Sequence, residues 1–131
     1  MSFHTVILIG NLGADPEMKY LPSGTAVTNF SVASNATRKN KDGETVKKTT
    51  WFRVAVFDKQ AEACANYLHK GSLVAVEGDL NADPETGGPR TFTRNDGTTG
   101  ASYEVFAHNV RFLSSSEAQE VEPMNDDQIP F

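Results

Sequence analysis

Hydrophobic and polar residues alternate in short runs along the first 113 positions, and Gly, Pro, Asn and Asp separate the runs. A period of two marks β-strands with one buried face. Phe3 to Gly10 (FHTVILIG) is rich in β-branched residues and predicts a first strand, closed by Gly10-Asn11. Met18 to Tyr20 predicts a short extension before the turn Pro22-Ser23-Gly24. Ala26 to Asn35 alternates, with Ala26, Thr28, Phe30 and Val32 on one side. Arg38 to Lys48 is basic and polar around Asp42-Gly43, which predicts an exposed hairpin or loop. Thr50 to Phe57 is the next strand. Asp58 has the chemistry of an N-cap for a helix from Lys59 to about His69, ended at Lys70-Gly71. Leu73 to Leu80 and Tyr103 to Leu113 read as strands. Between them lie the loop Asn81 to Pro89 and a short strand, Arg90 to Arg94, turned at Asn95-Asp96-Gly97.

The order is three strands, a helix, then two strands with a hairpin inserted. It predicts an all-β fold: a five-stranded Greek-key barrel of the OB type, with one short helix between strands three and four.

Charge divides the chain at residue 113. All 12 Lys and Arg lie between Lys19 and Arg111, and 12 of the 17 acids lie within the first 113 residues. That body is formally neutral, so the net charge of −5 belongs to the last 18 residues. The expected organisation is a domain over 1–113 and a disordered acidic tail over 114–131. The tail ends in an apolar tip, Ile129, Pro130 and Phe131, behind Asp126 and Asp127. Such a tip on a polar tail predicts a docking peptide for other proteins.

Composition also sets the expected compartment. The lone Cys64 excludes an internal disulfide and fits reducing surroundings. No basic stretch followed by a signal-type apolar segment opens the chain. The longest apolar runs, such as Val6 to Ile9, are too short to span a bilayer. A cytoplasmic, nucleoid-associated protein with no membrane partner is expected.

The strand Thr50 to Phe57 carries the most chemistry. Its odd positions are Trp51, Arg53, Ala55 and Phe57, which share one face. Stacking rings beside a guanidinium suit single-stranded nucleic acid, because bases lie on the rings and the cation meets phosphate. Read alone, the strand also allows the reverse, with Trp51 and Phe57 in the core and Phe52 outside. A second row, Arg90, Phe92 and Arg94, repeats the cation–aromatic–cation pattern on a hairpin with little core of its own. Arg38, Lys39, Lys41, Lys47 and Lys48 add a basic hairpin. Stacking tolerates any base, so the expected preference is for single strands rather than for a sequence.

Catalysis has no residue set behind it. His4, His69 and His108 lack ligand spacing, one Cys cannot build a thiolate zinc site, and no Gly-Lys-Ser/Thr follows a glycine-rich turn. No catalytic residue, metal or cofactor is expected.

Several segments together resemble the bacterial and phage single-stranded DNA-binding proteins. They are Val6 to Gly13 followed by Asp15-Pro16-Glu17, Tyr20 to Gly24, Phe30 to Ala33, Trp51 to Val54 with Phe57, Tyr67 to Ser72, and Val76 to Leu80. The likeness runs over about residues 3 to 113 and resumes at the tail tip. It implies an OB fold assembled as a homotetramer and working in DNA replication, repair and recombination. It implies that Trp51 and Phe57 stack on DNA, and that Phe92 falls near a further stacking position. Arg38 stands near a family tryptophan and is a cation here. Ala82 to Pro89 looks like an insertion, and Gln128 replaces an expected acid. Replication and repair proteins would dock on Asp126, Asp127, Ile129, Pro130 and Phe131. An RNA-binding OB module is the alternative. It accounts for the aromatic–basic rows but not for the tip.

Overall fold

The computed structural model describes residues 2–113. Its elements are β1 (Val6–Leu12), β2 (Glu17–Tyr20), β3 (Ala26–Lys39), β4 (Thr45–Phe57), α1 (Asp58–Tyr67), β5 (Leu73–Leu80), β6 (Arg90–Thr93) and β7 (Thr99–Phe112). Five of the strands close on one another. β1 pairs β5, β5 pairs β7, β7 runs parallel to β4, β4 pairs β3, and β3 returns to β1 through Asn11↔Ala33 and Leu12↔Val32. This is the five-stranded barrel expected from the order of elements, with its helix between the third and fourth barrel strands. β2 and β6 are short additions, one on β3 and one on β7. The expected tail, including Asp126, Asp127, Ile129, Pro130 and Phe131, lies outside the described residues.

Alternation selects what enters the barrel. Leu8, Leu12, Phe30, Val32, Val54, Val56, Val74, Val76 and Val105 form one buried cluster drawn from all five strands. Each such side chain contributes about 1.5–3 kcal/mol by leaving water. Ala61, Cys64 and Leu68 face the same cluster from α1 and its end. Thr28 is buried, and its hydroxyl donates to the Ala61 carbonyl at 2.6 Å, tying helix to barrel. Gln60 spans to β7, donating to the His108 carbonyl at 2.8 Å and accepting from the Val110 N–H at 3.0 Å. Burial pushes the Cys64 thiol up to about 11. It is therefore a protonated core side chain at neutral pH.

Several boundaries differ from the sequence expectation. β1 does not end at Gly10-Asn11 but runs through it to Leu12. Gly10 marks the place where β1 crosses β3. A Cβ there would lie 2.1 Å from the Ala33 carbonyl oxygen, so only a residue without one fits. Asp58 is not an N-cap. It is the first helical residue, with φ of 62°, Phe57 holds the cap position, and no side chain caps the N-terminus. The helix also stops at Tyr67, because Leu68 turns to extended backbone and buries its side chain. The expected basic hairpin is present, and its strands are longer than expected. β3 and β4 continue as a paired arm to Lys39↔Thr45, and Asn40 closes its turn by accepting from the N–H groups of Asp42 and Glu44.

Gly10→Ala drives a methyl group into backbone rather than into a movable side chain. It is expected to cost about 1–3 kcal/mol of stability, the usual range for over-packing. Urea unfolding measures this, and an unchanged midpoint would refute the crossing as the reason for glycine.

Candidate nucleic-acid interface

The barrel core fixes which side of β4 faces out. Val54 and Val56 are buried, so Trp51, Arg53, Ala55 and Phe57 take the opposite face. Trp51 and Arg53 are exposed, Trp51 at 39%, while Ala55 and Phe57 are half-buried. The reverse assignment, with Trp51 and Phe57 in the core, does not occur. Phe52 is half-buried and packs against the core.

β6 and β7 bring the second row beside the first. Phe92 pairs with Gly100 across the hairpin, and its ring is 42% exposed. The Arg94 guanidinium carbon lies 5.4 Å from the Phe92 ring centroid, a cation–π distance. Arg94 is anchored there by donating to the Thr99 carbonyl at 3.0 Å. The turn beneath is held by Asp96, whose carboxylate accepts from the Thr98 hydroxyl at 2.6 Å and the Thr98 N–H at 3.0 Å. Those bonds, the hydroxyl's first, lower the Asp96 pKa below its ordinary value.

Trp51, Arg53 and Phe92 meet around an open cavity of about 360 Å³, completed by Gly13, Ala14, Ser31, Ala101 and Ser102. One indole, one guanidinium and one phenyl ring around a mostly small-residue floor can receive a planar base and its phosphate. Phe57 is not part of this cavity. It stands six residues along β4 from Trp51, roughly 20 Å at strand rise, so the two rings would take separate bases. It lines a second opening with Tyr20, Asp58 and Lys59. Its ring packs edge-on against Phe106, centroids 5.7 Å apart.

The other cations divide between faces. Opposed residues share a face in an antiparallel pair, so Arg38 (opposite Val46) and Lys48 (opposite Ala36) lie on the Phe52 side. Lys39 (opposite Thr45) and Lys47 (opposite Thr37) lie on the Trp51 side. Lys41 sits in the turn between the strands, and Arg90 opens β6 opposite Ser102.

Phe106 and Tyr103 were not singled out by the aromatic rows. Both are exposed, at 41% and 47%. Alternation signals Phe106, since the strand holding Val105 in the core must turn it outward, but it places Tyr103 on the same face as Val105. What the sequence lacked was the parallel β4–β7 pairing, which aligns Phe52 with Tyr103 and Ala55 with Phe106. Among the described residues, no group of three or more His, Cys, Asp or Glu could hold a metal ion, and no helix is long and apolar enough to cross a membrane.

Comparison with known proteins finds relatives over most of the chain. A sequence model of the Single-strand binding protein family matches residues 3–113. The chain is 39% identical over 113 residues to the single-stranded DNA-binding protein of Neisseria meningitidis serogroup A, covering 86% of this chain and 61% of that one. It is 42% identical over 108 residues to that of Xanthomonas axonopodis pv. citri, covering 82% and 56%. The chain thus spans about three fifths of the length of the curated relatives it matches. A crystal structure of a deletion mutant of the single-stranded DNA binding protein from Thermus aquaticus superposes with a TM-score of 0.66 at 28% identity, covering 86% of this chain and 51% of that one. The small single-stranded DNA-binding protein from Streptomyces coelicolor shares the fold, with a TM-score of 0.69 at 22% identity over 86% and 95% of the chains.

Gly100 sets the aim of the second row. A Cβ there would approach the tip of Phe92 at 2.6 Å and the Arg94 guanidinium at 2.7 Å. Both are ends of flexible side chains. Gly100→Ala is therefore expected to displace the Phe92–Arg94 contact while keeping stability within about 0.5 kcal/mol. A crystal structure of the variant with that contact unmoved would contradict it.

Proposed function

The chain belongs to the single-strand binding protein family, and we propose that it coats single-stranded DNA without sequence preference during replication, repair and recombination. The observation that carries this reading is the cavity shared by Trp51, Arg53 and Phe92. Bases stack on Trp51, Phe57 and Phe92, each on its own ring. Phosphates meet Arg53, Arg90, Arg94 and the arm cations Arg38, Lys39, Lys41, Lys47 and Lys48. Bases held this way cannot pair, so hairpins and reannealing are suppressed. The protein acts by binding and performs no catalysis.

Assembly into a homo-oligomer, a tetramer by family likeness, has support in β1. Over Val6 to Gly10 its register is with β5 alone. Ile7 and Ile9 remain 68% and 56% exposed on its outer face. An unpaired edge beside exposed aliphatics suits pairing with a second copy. The C-terminal tip is assigned to recruitment of replication and repair proteins. Phe131 would enter an apolar pocket, and Asp126 and Asp127 would steer the approach. Ile129 and Pro130 complete the apolar end. A cytoplasmic, nucleoid-associated location follows from this role.

Trp51→Ala is expected to cost about 1–3 kcal/mol in binding to oligo-dT, with the salt slope nearly unchanged. Arg53→Ala is expected to lower that slope by about 0.7, one phosphate contact on a single strand. Fluorescence anisotropy at several salt concentrations reads both. Wild-type affinity in both variants would overturn the assignment, and poly-U competing as well as poly-dT would favour the RNA reading. Phe131→Ala should keep DNA affinity and lose partner capture in a pull-down; unchanged capture would remove the tip from the account.

A further inference from the structure

Both faces of the β3–β4 arm carry a cation–aromatic row, and only one has so far been given a base to stack. On the face opposite Trp51 the row runs Arg38, Lys48, Thr50 and Phe52, continued across the parallel pairing by Tyr103. Within the barrel this is the inward face, since Phe52 stands opposite the fully buried Val32. The β4–β7 register begins only at Phe52, so beyond it that face opens to solvent. Val46 is 41% exposed there and Lys48 is exposed. Phe52 and Tyr103 pack tilted, with ring centroids 6.0 Å apart. Phe52 is braced by the core, which leaves Tyr103, 47% exposed, as the presented ring.

An open cavity of about 400 Å³ lies at this edge, lined by Lys48, Thr50, Trp51, Phe52, Ala101 and Tyr103. Trp51 and Ala101 also line the cavity that holds Arg53 and Phe92. The two openings therefore share a wall, and a strand leaving one across the indole enters the other. The second opening has the same chemistry as the first: a braced aromatic surface beside a cation, with no acidic residue in its lining.

We propose that single-stranded DNA passes over the edge of β4 at Trp51 and places a further nucleotide on the opposite face, its base on Tyr103 and its phosphate at Lys48, with Arg38 next along the path. This rests on the single-strand-binding reading and adds a nucleotide subsite to it. The path follows the positive row, and the polyanion is the occupant that complements it.

The test uses the full chain and oligo-dT. Tyr103→Leu keeps an apolar contact for Phe52 but removes the stacking plane, and is expected to weaken binding about 5- to 150-fold, the equivalent of one stacked base. Tyr103→Phe should restore most of that affinity. Lys48→Gln should lower the salt slope by about 0.7. Bound oligo-dT should also protect the Lys48 amine of the unmodified protein from acetylation, a readout that needs no variant and decides the matter if Tyr103→Leu does not fold. Wild-type affinity in Tyr103→Leu, or Lys48 equally acetylated with and without DNA, would overturn the subsite. So would a change in particle mass at unchanged affinity per subunit, which would make this face a contact between copies. If Trp51→Ala also binds like wild type, the single-strand-binding reading itself has failed; if only Trp51→Ala weakens binding, the subsite alone is wrong.

Discussion

The structure depends on the register of β4. This strand lies between β3 and β7, and a strand gives alternate residues to opposite faces. Val54 and Val56 fill the barrel with almost no exposed surface. Sliding β4 by one residue would put Arg53 and Ala55, or Ala55 and Phe57, in their places, a change the core cannot accommodate. Each valine contributes about 1.5–3 kcal/mol where it stands. The burial that stabilises the barrel is thus the same force that holds Trp51 and Arg53 outward. The proposed binding surface needs no separate scaffold, because it is the other half of the core's own alternation.

Much of this was legible in the sequence, for one physical reason. Strand periodicity is local, so Trp51 and Arg53 declared their shared face from a stretch of eight residues. Glycine-bounded Arg90 to Arg94 likewise declared a hairpin too small to bury Phe92. Contacts between distant segments were not legible. Gly10 looks like a strand end until β3 is known to cross it within van der Waals distance. Asp58 has the composition of an N-cap, but the chain reaches α1 directly from β4 and turns at Asp58 with positive φ, so its side chain does not cap. Tyr103 and Phe106 gain meaning only through the parallel pairing with β4, which joins residues about fifty positions apart. The basic arm was legible as a cluster, but its division between two faces required the pairing of Arg38 with Val46 and of Lys48 with Ala36.

That division changes how the surface operates. A strand of DNA bound only to the Trp51 face would leave Arg38 and Lys48 without a role. Trp51 stands at the edge between the two openings, and the arm continues beyond the barrel with cations on both sides. Small residues keep the passage open: Ala101 lines both cavities, and Gly100 makes room for Phe92 and Arg94. Rings held by the sheet and cations on long flexible stems would, in the proposed role, fix base planes while following a variable backbone.

Trp51 is the only tryptophan in the chain, so its emission reports on one position alone. Titrating the protein with oligo-dT while recording that emission tests directly whether bases stack at the edge of β4. Saturable quenching that weakens as salt is raised is the result predicted here. Emission unchanged at oligonucleotide concentrations that saturate binding by another probe would contradict it, because the DNA would then be held somewhere other than on the indole.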